Sequence, residues 1–176
     1  QLKIKLYIAP SLTSKTNDMT YLKEITFNDY ATIFNNTAKN VERVKLHSSQ
    51  PPKGDDIRFF RSDEGVSYLC GDGYMGGLLR FNFRGEENLS KLHQEQRVFK
   101  GGHFLDCYDG KLVELYKKQG FKIVARVPFN SDYAPKGWEE DKDLKRKPDV
   151  VFLSKRENVQ INYLKNYDDA YNYARG

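Results

Sequence analysis

Residues 103–127 change their hydrophobic period twice in one short stretch, and that stretch limits what the rest of the chain can be. His103, Phe104 and Leu105 open a short strand that runs to Tyr108. Asp109 then stands where a helix cap belongs, and Leu112, Leu115 and Tyr116 fall at the i, i+3, i+4 spacing of one buried helix face. Gly120 ends that helix as a left-handed C-cap residue does, and a second strand follows over residues 121–127. A helix held this tightly between two strands has to pack on their sheet. The unit therefore excludes an all-helical or an all-β chain and demands mixed α/β layers.

The segments before it supply more sheet. Residues 57–61 and 66–69 read as strands joined through Ser62, Asp63, Glu64 and Gly65. Cys70, Gly71, Asp72 and Gly73 form a second turn into a strand over residues 76–83. Links this short predict three consecutive antiparallel strands. Strict alternation over residues 2–8 predicts a half-buried strand, and residues 41–46 are a shorter candidate. Residues 17–19 offer a cap for a helix carrying Leu22 and Ile25; Asn28 and Asp29 start another through Tyr30, Ile33 and Phe34, interrupted by Asn35, Asn36 and Asn40. Asn88 caps a helix through Leu89, Leu92 and Gln96 to Phe99, which Gly101 and Gly102 stop. A loop over residues 128–148 leads to a last strand at 150–153. Tyr163, Tyr167 and Tyr171, four residues apart, predict a terminal helix with an aromatic stripe. The expectation is one α/β domain over residues 1–154, a single mixed, mainly antiparallel sheet flanked by helices, with a Tyr-rich helical extension over 155–176.

Composition narrows the function. An aromatic content of 14% within 176 residues excludes a disordered chain. No apolar stretch approaches a membrane span and no export signal is visible, so a cytoplasmic home with no membrane partner is expected; Gln1 allows that the numbering begins after a cut. Cys70 and Cys107 are too few for a disulfide framework, and His47, His93 and His103 lack metal-ligand spacing, so no metal is expected. The net charge of +5 is spread out. Its densest basic run, residues 142–147, is answered by Glu139, Glu140, Asp141, Asp143 and Asp149, which reads as a solvated loop rather than a nucleic-acid groove.

Residues 105–121 as a whole, with Asp109 at the helix entrance and Tyr116, three residues, Gly120 and Phe121 at its end, resemble the C-terminal half of the GNAT acyltransferase superfamily. The resemblance spans residues 55–153 and implies a GNAT-type sheet splayed between the strands near 78–83 and 103–108. It implies acetyl transfer from acetyl-CoA to an amine by direct attack, the acceptor being a small molecule or a protein amine. By the same resemblance Tyr116 would be the acid for the departing thiolate, and Asp106 or Asp109 would orient the amine. Backbone amides around Leu79, Arg80 and Phe81 would hold the thioester and pantetheine, with Arg84 and Gly85 at the pyrophosphate. From the residues alone, Tyr116 is equally a packing residue and Asp109 an N-cap.

One part departs from the family pattern. The pyrophosphate loop reads Asn82, Phe83, Arg84, Gly85, Glu86, Glu87, Asn88, keeping one basic residue and one glycine. Glu86 and Glu87 would each repel a bound pyrophosphate by roughly 1 kcal/mol at contact distance in water. The loop over 128–148 holds Tyr133 and the only tryptophan, Trp138, and reads as a packed substrate lid. Together with the eroded loop it is similar to GNAT-like domains of phage and mobile elements. That leaves an alternative: a catalytically silent, phage-encoded scaffold in a bacterial cytoplasm, binding a host protein or nucleic acid.

Overall fold

Neighbouring strand residues point to opposite faces of a sheet, and here both faces are apolar. Phe59 and Phe60, Phe104 and Leu105, and Phe152 and Leu153 are all buried, one of each pair on each face. Helices must therefore cover both sides. The computed structural model describes residues 22–40, 52–82, 89–133 and 147–176. The expected strands at 2–8 and 41–46 and the helix start at 17–19 lie outside the described residues.

The elements in chain order are β1 (Lys23–Ile25), α1 (Phe27–Asn40), β2 (Ile57–Arg61), β3 (Gly65–Cys70), β4 (Met75–Arg80), α2 (Leu89–Phe99), β5 (Phe104–Tyr108), α3 (Lys111–Lys118), β6 (Lys122–Val127), β7 (Val150–Ser154), β8 (Asn162–Tyr163) and α4 (Tyr167–Arg175). They form two four-stranded sheets, β1-β2-β3-β4 and β5-β7-β6-β8. Every pairing is antiparallel except β6 with β8. The sheet expected as one is thus divided, and the division falls between the two strands where splaying was expected. Among the described residues a single parallel bridge, Tyr74 to Phe104, joins the halves.

Three apolar clusters explain the layers. One lies between α1 and the first sheet, built on Tyr30, Phe34, Phe59, Val66, Tyr68 and Leu79. Another lies between α4 and the second sheet, where Ala170 and Ala174 sit fully buried against Phe104, Val124 and Phe152. The third runs across both sheets under α2 and α3, with Met75, Leu105, Val113, Tyr116, Phe121 and Leu153. Each fully buried large side chain contributes about 1.5–3 kcal/mol of transfer free energy.

Several local expectations are corrected. Ile25 ends a strand instead of sitting on a helix, because β1 pairs with β2 through Ile25 and Phe59. Thr26 and Asp29 cap α1 reciprocally: the Asp29 amide donates to the Thr26 hydroxyl at 3.1 Å, and the Thr26 amide donates to the Asp29 carboxylate at 3.4 Å. The helix continues through Asn35 and Asn36 to Asn40, its buried face fixed by Tyr30, Phe34 and Thr37. In α3 the buried pair is Val113 and Tyr116, while Leu112 and Leu115 remain 45% and 38% exposed. Tyr163 belongs to β8 and not to the terminal helix.

α2 carries a buried polar stripe of His93, Gln94 and Arg97. The His93 ring lies between the Ser67 hydroxyl at 2.6 Å and the Ser62 hydroxyl at 3.1 Å. Burial holds its pKa well below the ordinary histidine value, so the ring is neutral. The unfolded chain then takes up a proton that the folded chain refuses. Stability from this site is complete above about pH 6.5 and falls by up to about 1.4 kcal/mol per pH unit below it. Urea denaturation of the protein and of His93→Gln, at about pH 7.5 and about pH 5.5, should show a smaller acid loss in the variant. At the other end of the molecule, Ala170→Leu should overpack the α4 interface and cost about 1–3 kcal/mol in the same measurement.

Candidate functional site

At the apex of the divided sheet the His103 amide donates to the Gly73 carbonyl at 2.9 Å, and the Phe104 amide donates to it at 3.4 Å. Beyond that point β4 and β5 have no strand between them and become the facing edges of the two sheets. The gap is a cleft of about 720 Å³. Its walls include residues 75–78 of β4 and 105–108 of β5, with Tyr68, Arg97, Leu112, Tyr116 and Tyr167 around them.

The β4 wall is bulged. Val66 pairs with Leu79 and Tyr68 with Gly76, so β4 carries one more residue than β3 across this step. Gly77 takes up the difference with φ +60°. A Cβ there would meet the Tyr30 hydroxyl at 2.2 Å and the Tyr68 ring at 2.4 Å. The carbonyls of the bulge are held individually: Tyr30 Oη donates to Gly77 O at 3.0 Å, and Arg97 Nη1 donates to Gly76 O at 2.8 Å and to Tyr68 O at 3.1 Å.

The β5 wall brings the carboxylate. Asp106 shares a strand face with Phe104 and looks toward α4. Tyr74 Oη donates to Asp106 Oδ1 in a short hydrogen bond, and the Tyr167 hydroxyl is its second phenolic neighbour. Burial raises the Asp106 pKa above the ordinary carboxylate value, against the pull of both hydroxyls. Tyr74 and Tyr167 are themselves pushed far up by burial and by the Asp106 charge, so both stay protonated as donors.

Tyr116 reaches the cleft from the opposite side. It is buried on α3 in the cluster that holds Leu105, with Phe121 edge-on at 6.2 Å. Burial raises its hydroxyl above the ordinary phenol value, while the Arg97 charge and the Gln94 amide pull it down and Cys107 and Asp106 push it up. Gln94 is buried, and neither polar atom of its amide makes an aligned hydrogen bond.

The other expected residues are placed as follows. Gly110, not Asp109, is the N-cap of α3. The Asp109 carboxylate instead accepts from Arg126 Nη1 at 2.7 Å, with Asp149 3.8 Å from the same nitrogen. Leu79 is buried opposite Val66 in the first sheet, and Arg80 pairs with Glu64 at 2.7 Å. The Phe81 amide donates to the Glu64 carbonyl at 2.9 Å, and its ring lies 5.2 Å from the Arg61 guanidinium. The cleft wall is therefore the earlier part of β4. Tyr133 ends a short 3₁₀ turn at Ser131–Tyr133. Arg84, Gly85, Trp138 and the side chain of Tyr133 lie outside the described residues. Cys107 lines the cleft, but burial pushes its thiol up to about 12, so it is no thiolate at neutral pH. Among the described residues no group of three His, Cys, Asp or Glu side chains is arranged to hold a metal ion, and no helix is long and apolar enough to cross a membrane.

Tyr68, Tyr74, Gln94 and Arg97 escape the sequence reading, and Tyr167 enters it only as part of the terminal aromatic stripe. Only the adjacent Gly76 and Gly77 inside a strand pattern signal the bulge in advance.

Gly77→Ala tests that geometry: a non-glycine residue at positive φ costs about 1–2 kcal/mol before any clash. Thermal denaturation should show a loss larger than that, partly recovered when Tyr30→Phe removes the clashing hydroxyl.

No protein-family model matches the chain, and no curated protein matches it. Among solved structures it is similar to a ribosomal-protein-alanine N-acetyltransferase from Brucella melitensis, at 14% identity and a TM-score of 0.47, over 75% of this chain and 96% of that one. It is also similar to YncA from Salmonella typhimurium, solved with its cofactor acetyl-CoA, at 10% identity and a TM-score of 0.46, over 79% and 95%. A third, the NatB acetyltransferase complex bound to a bisubstrate inhibitor, shows 14% identity and a TM-score of 0.35, over 80% and 96%. The chain has a mainly antiparallel α/β architecture, splayed between β4 and β5 and covered by helices on both faces.

Proposed function

We propose that this protein transfers an acetyl group from acetyl-CoA to an amine, by direct attack within the cleft between β4 and β5. The observation that carries this reading is that Tyr116 and Asp106 enter one cleft from opposite faces of the sheet. An acid and a base on opposite sides of one acyl carbon are what direct transfer needs.

The cleft fits the donor. A pantetheine arm is a chain of amides, and the facing edges of β4 and β5 offer it main-chain partners as a surrogate strand. Residues 75–78 and 105–108 would hold it, with Leu79 and Arg80 farther along the same strand. Arg84 and Gly85 are proposed at the pyrophosphate and Tyr133 and Trp138 as the lid. Bound acetyl-CoA supplies an activated thioester.

Asp106 takes the proton from the attacking nitrogen, and its raised pKa makes it a better base than an exposed carboxylate. As the new C–N bond forms and the C–S bond breaks, Tyr116 gives its phenolic proton to the departing sulfur. The base is Asp106 rather than Asp109, because Asp109 is engaged by Arg126. Tyr68, Tyr74 and Tyr167 give the amine side aromatic walls that suit an organic cation before it loses its proton.

Calorimetric titration of acetyl-CoA should give binding in the micromolar range. With an amine acceptor, Tyr116→Phe should keep that affinity and lose about a hundredfold or more in kcat. Asp106→Asn should lose turnover and remove the acid limb of the pH–rate profile. Absence of heat at about 1 mM acetyl-CoA, an affinity weaker than about −4 kcal/mol, would overturn the transferase reading. It would leave the scaffold that binds a macromolecular partner, favoured by Glu86 and Glu87 in the loop.

A further inference from the structure

Tyr68 belongs to β3, yet it lines the cleft on the far side of β4. Its partner across the ladder is Gly76, and the next residue of the bulge is Gly77. With no side chain at either position, the Tyr68 ring lies across the β4 main chain. A Cβ on Gly76 would meet the Tyr68 hydroxyl at 2.5 Å and Cζ at 2.6 Å. One on Gly77 would meet Cδ2 at 2.4 Å and Cε2 at 2.5 Å. Behind the ring, Tyr30 stands edge-on at 6.1 Å, with Phe59 at 6.3 Å and Tyr74 at 6.2 Å, ring centre to ring centre. Tyr30 and Phe59 are buried, so the ring can withdraw only by displacing packed neighbours.

We propose that Tyr68 is the specificity-determining residue for the acyl group: its ring, laid over Gly76 and Gly77, fills the space beside the acyl carbon and limits the donor to a two-carbon chain. The proposal rests on the transferase reading, in which residues 75–78 hold the donor. The two sheets meet at Tyr74 and Phe104, so the deep end of the cleft lies beside Gly76 and Gly77. A donor arm that enters from the open end brings its acyl group there. A methyl fits against the aromatic ring, whereas each further methylene has to push the ring aside, and overpacking a filled site is unfavourable. A longer chain cannot turn toward β5 instead, because the Tyr74 hydroxyl and the Asp106 carboxylate are joined there by their short hydrogen bond.

The test is calorimetric titration of the full chain with CoA, acetyl-CoA and butyryl-CoA, CoA giving the affinity without an acyl group. The parent should bind butyryl-CoA at least about fivefold more weakly than acetyl-CoA. Tyr68→Ala opens the space above the two glycines and should reverse that order, with butyryl-CoA bound about tenfold more tightly than acetyl-CoA. Tyr68→Leu, closer to tyrosine in volume, should bring the two donors level, and it decides the matter where circular dichroism shows the alanine variant unfolded. Tyr68→Phe keeps the ring and should keep the parent order. A parent that binds butyryl-CoA as tightly as acetyl-CoA overturns the proposal and leaves the transferase reading standing. So does a folded Tyr68→Ala or Tyr68→Leu that prefers acetyl-CoA as strongly as the parent does. A parent that binds neither acyl-CoA overturns both.

Discussion

One parallel bridge decides the shape of this molecule. Tyr74 and Phe104 are the last point at which the two sheets touch as strands, closed by the His103 amide on the Gly73 carbonyl. Had β4 and β5 continued as a ladder, their edges would have satisfied each other and no cleft would exist. Because they part, the chain carries two exposed edges in its centre, which most proteins cover or blunt. Here the bulge at Gly77, pinned by Tyr30 and Arg97, fixes one edge, and pairing with β7 fixes the other.

The two faces of the cleft are chemically different, and strand alternation is the reason. Leu105 and Cys107 look toward α2 and α3, where Tyr116, Gln94 and Arg97 gather. Phe104 and Asp106 look toward α4, where Tyr74 and Tyr167 gather. A shift of β5 by one residue would exchange the two sets, so the register Asp106 to Phe152 keeps each set on its own face. Each face buries polar groups at a cost. On the α4 side Asp106 is answered by phenolic donors; on the α2 side the Gln94 amide lies buried beside Arg97.

The strand and helix order was readable because it depends on local period and turn chemistry. β2, β3 and β4, α2, and the strand–helix–strand unit that ends in Gly120 and Phe121 stand within a residue or two of their expected positions, apart from the C-terminal end of β4. Ile25 was misread because one β-branched residue fits a short strand and a helix start equally well, and only its pairing opposite Phe59 selects the strand. Leu112 and Leu115 have the spacing of a core face, yet α3 is rotated so that Val113 and Tyr116 enter the core. Period gives a helix its face only to within neighbouring residues, and packing chooses among them.

The sequence by itself determined the α/β class, the antiparallel meander and the tyrosine at the end of a helix, since each is written in residues close together in the chain. Tertiary structure alone decided that Asp106 and Tyr116 share a cleft, that Asp109 is tied to Arg126, and that Tyr74, Tyr167, Gln94 and Arg97 surround the two groups. Those neighbours come from segments far apart, on both sheets and on helices from both layers. Their meeting depends on where the sheets divide and on which face each strand residue presents, and no local pattern records either.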